Sequence, residues 1–115
     1  MKHILVADDE IDIVESMRGM LSPYFVVDIA TTGIEILRLC DKESYDGLII
    51  DVDFGPGISG LEIVSIIREK NKNIKIVIFS AVDYSDAIRQ QAVDLGAVFC
   101  EKPLDLGMVL RIMGE

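Results

Sequence analysis

The chain has 115 residues, half of them hydrophobic but only 6% aromatic and none of them tryptophan, so it can build one aliphatic core and not two. Eleven Lys and Arg are set against twenty Asp and Glu, a net charge of −9, and no segment gathers the cations on one face, which argues against direct binding to nucleic acid or to an anionic membrane. No apolar run approaches the roughly 18 residues of a membrane span and no secretory signal opens the chain, so the expected address is the cytoplasm.

Taken in order, "ILVA" (4–7) reads as a buried strand that runs into the acidic "ADDE" and then a helix with apolar Ile13, Met17, Met20 and Leu21 on one face. Pro23 closes that helix. "FVVDI" (25–29) is the second strand, and Thr32 with Glu35 matches a capping box that opens the second helix. "LII" (48–50) is the third strand and ends in Asp51, after which Ser59 with Glu62 marks the start of the third helix. "IVIF" (76–79) is the fourth strand. Ile88, Ala92 and Leu95 give the stripe of the fourth helix, which stops at Gly96, where a left-handed residue costs little. "AVFC" (97–100) is the fifth strand, and a short last helix runs from about Asp105 to Met113.

Five strands alternating with five helices, with no repeat or linker, predict one doubly wound α/β domain over residues 1–115, its parallel sheet covered on both faces by right-handed crossovers. Cys40 and Cys100 lie within apolar stretches at no metal or redox spacing and are expected to be buried free thiols.

Ligands of such folds sit at the carboxyl ends of the strands. There the sequence places Asp8 and Asp9, Asp51, Ser80 and Lys102, all expected to face one crevice. Each of three has an ordinary structural reading: Asp8 or Asp9 as a helix cap, Ser80 as a turn hydroxyl, Lys102 as a solvated lysine. Asp51 does not, because it ends a continuous apolar strand where an isolated carboxylate is costly to desolvate. Three carboxylates so close must protonate or hold a cation, and an all-oxygen set suits Mg²⁺, which completes its shell with water and phosphate. A carboxylate can also attack phosphorus, with Mg²⁺, Lys102 and the Ser80 hydroxyl each meeting one oxygen of the transferring group.

"ILVADDE", "LIIDVD", "FSA" and "EKP", in that order along nearly the whole chain, resemble the response-regulator receiver domain of two-component signalling, in its chemotaxis-regulator-like form. The resemblance implies a flavodoxin-like sheet of strand order 2-1-3-4-5. It makes Asp51 the phosphoacceptor, Asp9 a direct Mg²⁺ ligand, Asp8 a ligand mostly through water, and Asp53 a ligand through its backbone carbonyl whose side chain tunes hydrolysis. Ser80 becomes the hydroxyl that moves towards the phosphoryl group, Lys102 its cationic partner joined to Pro103 by a cis bond, and Phe99 the aromatic switch. Such a domain catalyses only its own phosphorylation and dephosphorylation. It takes phosphate from a histidine kinase or a histidine phosphotransfer protein and changes the face of helix four, strand five and helix five for an output partner or domain; a phosphorylation-linked homodimer through that face is compatible with it.

Pro56 and Gly60 lie five and nine residues after Asp51, where the family has them four and eight after, so the loop carries one extra residue. Gly55 is the expected insertion, which keeps Asp53 in register; an insertion at Val52 or Asp53 would change the carbonyl ligand. "LIIDVD" also resembles the D-x-D motif of haloacid-dehalogenase-type phosphatases, but there the motif opens the first strand and an acidic pair follows the lysine. A pseudo-receiver that is never phosphorylated draws support from the extra loop residue alone.

Overall fold

The apolar runs become five short parallel strands because β-branched residues dominate them and each is too short for a helix of its own. A computed structural model describes residues 1–52, 54, 57–80 and 86–114. The elements are β1 (His3–Ala7), α1 (Ile11–Leu21), β2 (Val26–Ala30), α2 (Gly33–Lys42), β3 (Gly47–Asp51), α3 (Gly60–Lys70), β4 (Lys75–Ser80), α4 (Asp86–Asp94), β5 (Ala97–Glu101) and α5 (Leu106–Gly114). The strands pair in parallel in the order β2-β1-β3-β4-β5, the flavodoxin-like order.

Although the central strands look uniformly apolar, they still alternate between two cores. Leu5, Ala7, Leu48, Ile50, Ile76 and Ile78 face the layer of α2, α3 and α4, where Ile36, Ile63, Val64, Ile67 and Ala92 cover them. Ile4, Val6, Ile49, Val77 and Phe79 face α1 and α5 and meet Val14, Met17, Leu21, Val109 and Met113. Successive side chains of a strand point to opposite faces, and here both faces are dry.

The α1 stripe is centred on Val14, Met17 and Leu21, with Ile13 and Met20 as half-buried flanks. Thr32 accepts from the Glu35 amide at 3.1 Å, and the Glu35 carboxylate reaches one residue further back than a strict capping box, to the Thr31 N–H at 2.8 Å. Ser59 caps α3 through the Glu62 amide at 3.2 Å. Gly96 has φ of 70°, as its place after α4 predicts. Both cysteines are free; Cys100 is buried, whereas Cys40 is half-buried, and burial pushes its thiol up to about 11. Among the described residues no helix is long and apolar enough to cross a membrane.

The extra residue after Asp51 does not lift α3 off the sheet. The Gly60 amide donates to Val52 O at 3.3 Å, and a Cβ at Gly60 would lie 2.9 Å from Val52 Cα and 3.1 Å from Val52 O, pressed also against Asp51 O. Backbone atoms cannot move aside as a flexible side chain would. Gly60→Ala is therefore expected to cost about 2 kcal/mol or more in urea unfolding. Gly19→Ala, in α1 with open space around its would-be Cβ, is expected to add about 0.5–1 kcal/mol; equal effects of the two changes would contradict this packing.

Candidate functional site

The parallel register brings the strand ends together. Ala7 of β1 lies beside Ile50 of β3, so Asp8 and Asp51, each one residue further on, are neighbours. Phe79 pairs with Asp51 on one side and Cys100 on the other, and Ser80 pairs with Glu101, which sets Lys102 just beyond. The Lys102 amide donates to Ser80 O at 2.8 Å and fixes the start of the β5–α5 connection, where the Lys102–Pro103 bond is cis.

Asp8 is 1% exposed and Asp51 4%, so both carboxylates have lost nearly all their water. Asp8 does not cap α1: the N-cap is Glu10, and Asp8 Oδ1 accepts from the Glu10 amide at 3.0 Å just ahead of the helix. Its other oxygen faces the Lys102 ammonium at 3.4 Å, and the same ammonium stands 3.1 Å from Asp51 Oδ2. Lys102 is 25% exposed and its ammonium also lies 5.0 Å above the Phe79 ring, so its stem runs over apolar surface while its charge serves the two aspartates. Asp9 is exposed, and oxygens of Asp8, Asp9 and Asp51 all fall within 4.8 Å of one another.

Burial is the main force on Asp8 and pushes its carboxyl up to about 6, opposed by the Glu10 amide and helped by Asp9 and Asp51; the Lys102 charge pulls it down. Burial likewise pulls Lys102 down, but the hydrogen bonds and charges of Asp51 and Asp8 outweigh it and leave the ammonium held more tightly than usual. Three carboxylates against one ammonium is a surplus of negative charge with one open side, at Asp9. Hard oxygens in that number, without a thiol or imidazole, suit a small divalent cation.

Of the residues singled out by sequence, Asp8, Asp9, Asp51 and Lys102 are brought together. Ser80 is fully buried at the end of β4, one strand away from Asp51. Phe99 lies further back on β5, half-buried against the α2–α4 layer, with the Arg89 guanidinium over its ring. Asp53, Gly55 and Pro56 lie outside the described residues, as does the choice of insertion point. Arg68 and Arg89 carry no sequence signal, since a lone arginine on a helix reads as a solvated charge. In the fold Arg68 donates to Leu95 O at 2.7 Å and to Ile74 O at 2.8 Å, and Arg89 reaches β5.

A folded-state pKa above the unfolded one means that ionising Asp8 opposes folding. The penalty is absent below pH 3.8, grows up to about 6 and is complete at neutral pH. Without divalent cations, Asp8→Asn is expected to stabilise the protein at pH 7 by about 1–2 kcal/mol and to add little at pH 4. Urea unfolding at the two pH values checks it, and a loss of stability at pH 7 would refute it.

Residues 4–112 match the response regulator receiver domain. The chain is 33% identical over 113 residues, 96% of its length, to the response regulator MprA of Mycobacterium ulcerans, 48% of which is covered; it spans about half the length of the curated relatives it matches. It is similar to the chemotaxis protein CheY4 of Vibrio cholerae, at a TM-score of 0.86 and 26% identity, with 97% of this chain and 98% of that one covered. It is also similar to the response regulator protein TrrA of Thermotoga maritima in complex with Mg²⁺-BeF, at a TM-score of 0.83 and 31% identity, with 96% and 95% covered. With a family match across nearly its whole length and an acidic cluster at the strand ends, the chain belongs to the response regulator receiver domain family, the aspartate-phosphorylated signalling domains of two-component systems.

Proposed function

We propose that residues 1–115 are a single receiver domain that accepts a phosphoryl group on Asp51 from a histidine kinase or histidine phosphotransfer protein, in the cytoplasm, and passes the change to an output partner or domain. The observation that carries this reading is the Lys102 ammonium, 3.1 Å from Asp51 and 3.4 Å from Asp8, with Asp9 beside them. Asp8, Asp9 and Asp51 fit Mg²⁺, and the family resemblance adds the carbonyl of Asp53, outside the described residues, as a further ligand. Bound there, Mg²⁺ supplies positive charge against the phosphoryl oxygens.

An Asp51 oxygen attacks phosphorus as the P–N bond to the donor imidazole breaks, and the imidazole leaves with the bonding pair. Lys102, already against Asp51, turns its ammonium to a phosphoryl oxygen, so stabilisation is in place where charge develops. The buried Ser80 hydroxyl moves towards another oxygen. Water later attacks phosphorus and returns Asp51 as the carboxylate.

Moving Ser80 lets the Phe99 ring shift, which alters the face of α4, β5 and α5 that a partner or a second copy reads. Asp51 is buried at the end of an apolar strand, a costly place for a carboxylate that has no chemical task.

Intact mass after incubation with acetyl phosphate tests the reading. A phosphoryl adduct that needs Mg²⁺ and disappears in Asp51→Asn is the expected result. Uptake retained in Asp51→Asn would move the acceptor elsewhere, and no uptake by the unaltered chain would favour a pseudo-receiver.

A further inference from the structure

Helix α4 packs beside β5 and is tied to its surroundings by two arginines. Ala92 is its one fully buried residue among those described, as Ile36 is of α2, whereas α1 and α3 bury three and four. Its carboxyl end is pinned by Arg68 of α3, which donates from Nε to Leu95 O at 2.7 Å and from Nη2 to Gly96 O at 3.4 Å, while Nη1 holds Ile74 O at 2.8 Å. One guanidinium thus ties the end of α4 to the turn before β4.

Nearer the amino end, Arg89 lies three residues before Ala92 and so shares the face that α4 turns to the sheet. Its Cζ is 4.9 Å from the centroid of the Phe99 ring, and Nη2 is 3.7 Å from Glu101 Oε1. Phe99 and Glu101 are alternate residues of β5 and point to the same side, so one side chain can touch both. Glu101 pairs in register with Ser80 and directly precedes Lys102. The contact therefore ends one residue from the phosphoryl chemistry.

We propose that Arg89 is a latch: by covering the Phe99 ring and pairing with Glu101, it holds α4 and the ring in their unphosphorylated arrangement, with Arg68 as the fixed end about which α4 moves once the latch opens. The inference rests on the phosphoacceptor reading above. At 37% exposure Arg89 makes contacts weak enough to break and strong enough to shift a two-state equilibrium several-fold. Opening the latch is part of the free energy that phosphoryl uptake must supply, so removing it favours the active arrangement before any phosphate arrives. Arg89 is a positioning residue, since it does not touch the phosphoryl site.

Arg89→Met keeps the stem and removes the charge, and Arg89→Lys keeps the charge without the planar group. The measurement is titration of the full chain with beryllofluoride in saturating Mg²⁺, followed in ¹H–¹⁵N spectra at Cys100 and Lys102. For Arg89→Met the half-saturating concentration is expected to fall about 3- to 10-fold, with the free-state signals displaced along the line towards the saturated ones, and Arg89→Lys should fall between. An unchanged or higher half-saturating concentration, with signals that do not move along that line, overturns the latch. If the unaltered chain takes up no beryllofluoride, the phosphoacceptor reading is what has failed. Amide exchange then decides the latch alone: faster exchange across α4 in Arg89→Met supports it, and unchanged exchange refutes it.

Discussion

Two nearly dry carboxylates share one ammonium at the ends of β1 and β3, and the rest of the molecule is arranged around that fact. Asp8 and Asp51 are neighbours because the register of parallel strands leaves them no choice. Each repels the other, and the Lys102 ammonium between them offsets part of the hydration they have lost. Even so the balance is incomplete: burial still holds Asp8 well above the usual carboxylate range, and Asp9 adds a third charge within reach. The fold supports an unfavourable electrostatic arrangement through two aliphatic layers that have no polar work to do.

That division of labour accounts for what the sequence made legible. Short strands with apolar runs, helices with a 3.6-residue stripe, and caps such as Ser59 are local signals; they placed the five strands and the last helix to within a residue and the starts of α2 and α3 at their caps. Asp51 stood out for the same reason, as a charge at the end of "LII". Asp8, Ser80 and Lys102 became meaningful once the parallel sheet was inferred, because residues far apart in sequence meet only through strand order. What stayed hidden was long-range and charged. Nothing near Arg68 says that it will bond carbonyls at the end of α4 and in the turn before β4, and nothing near Arg89 says that it will lie over Phe99. The displacement of the α1 stripe towards Val14 has a simpler cause: Ile13 and Val14 are both apolar, and periodicity alone does not say which of two adjacent residues faces the sheet.

The helices also differ in how deeply they are seated. Val109 and Met113 of α5 join Val14, Met17 and Leu21 of α1 against β1, β3 and β4, and three buried residues fix α1 along its length. On the other face α3 is equally well seated, whereas α2 and α4 each have one fully buried residue among those described, Ile36 and Ala92. A helix with one fully buried side chain can change position without emptying a core, and β5 connects it to the charged site through Phe99, Glu101 and Lys102 in succession. The central strands, buried on both faces, keep the carboxylates in place, and α4 beside β5 can report on them.

The central claim is that Asp8, Asp9 and Asp51 carry more negative charge than Lys102 alone balances, so that the ammonium and a divalent cation compete for the same oxygens. Calorimetric Mg²⁺ affinity of Lys102→Met beside the unaltered protein tests this most directly. Removing the ammonium leaves the carboxylates unshared, and the account predicts Mg²⁺ binding about 3- to 10-fold tighter. Unchanged or weaker binding would mean that the cation does not enter among these carboxylates, and would contradict it.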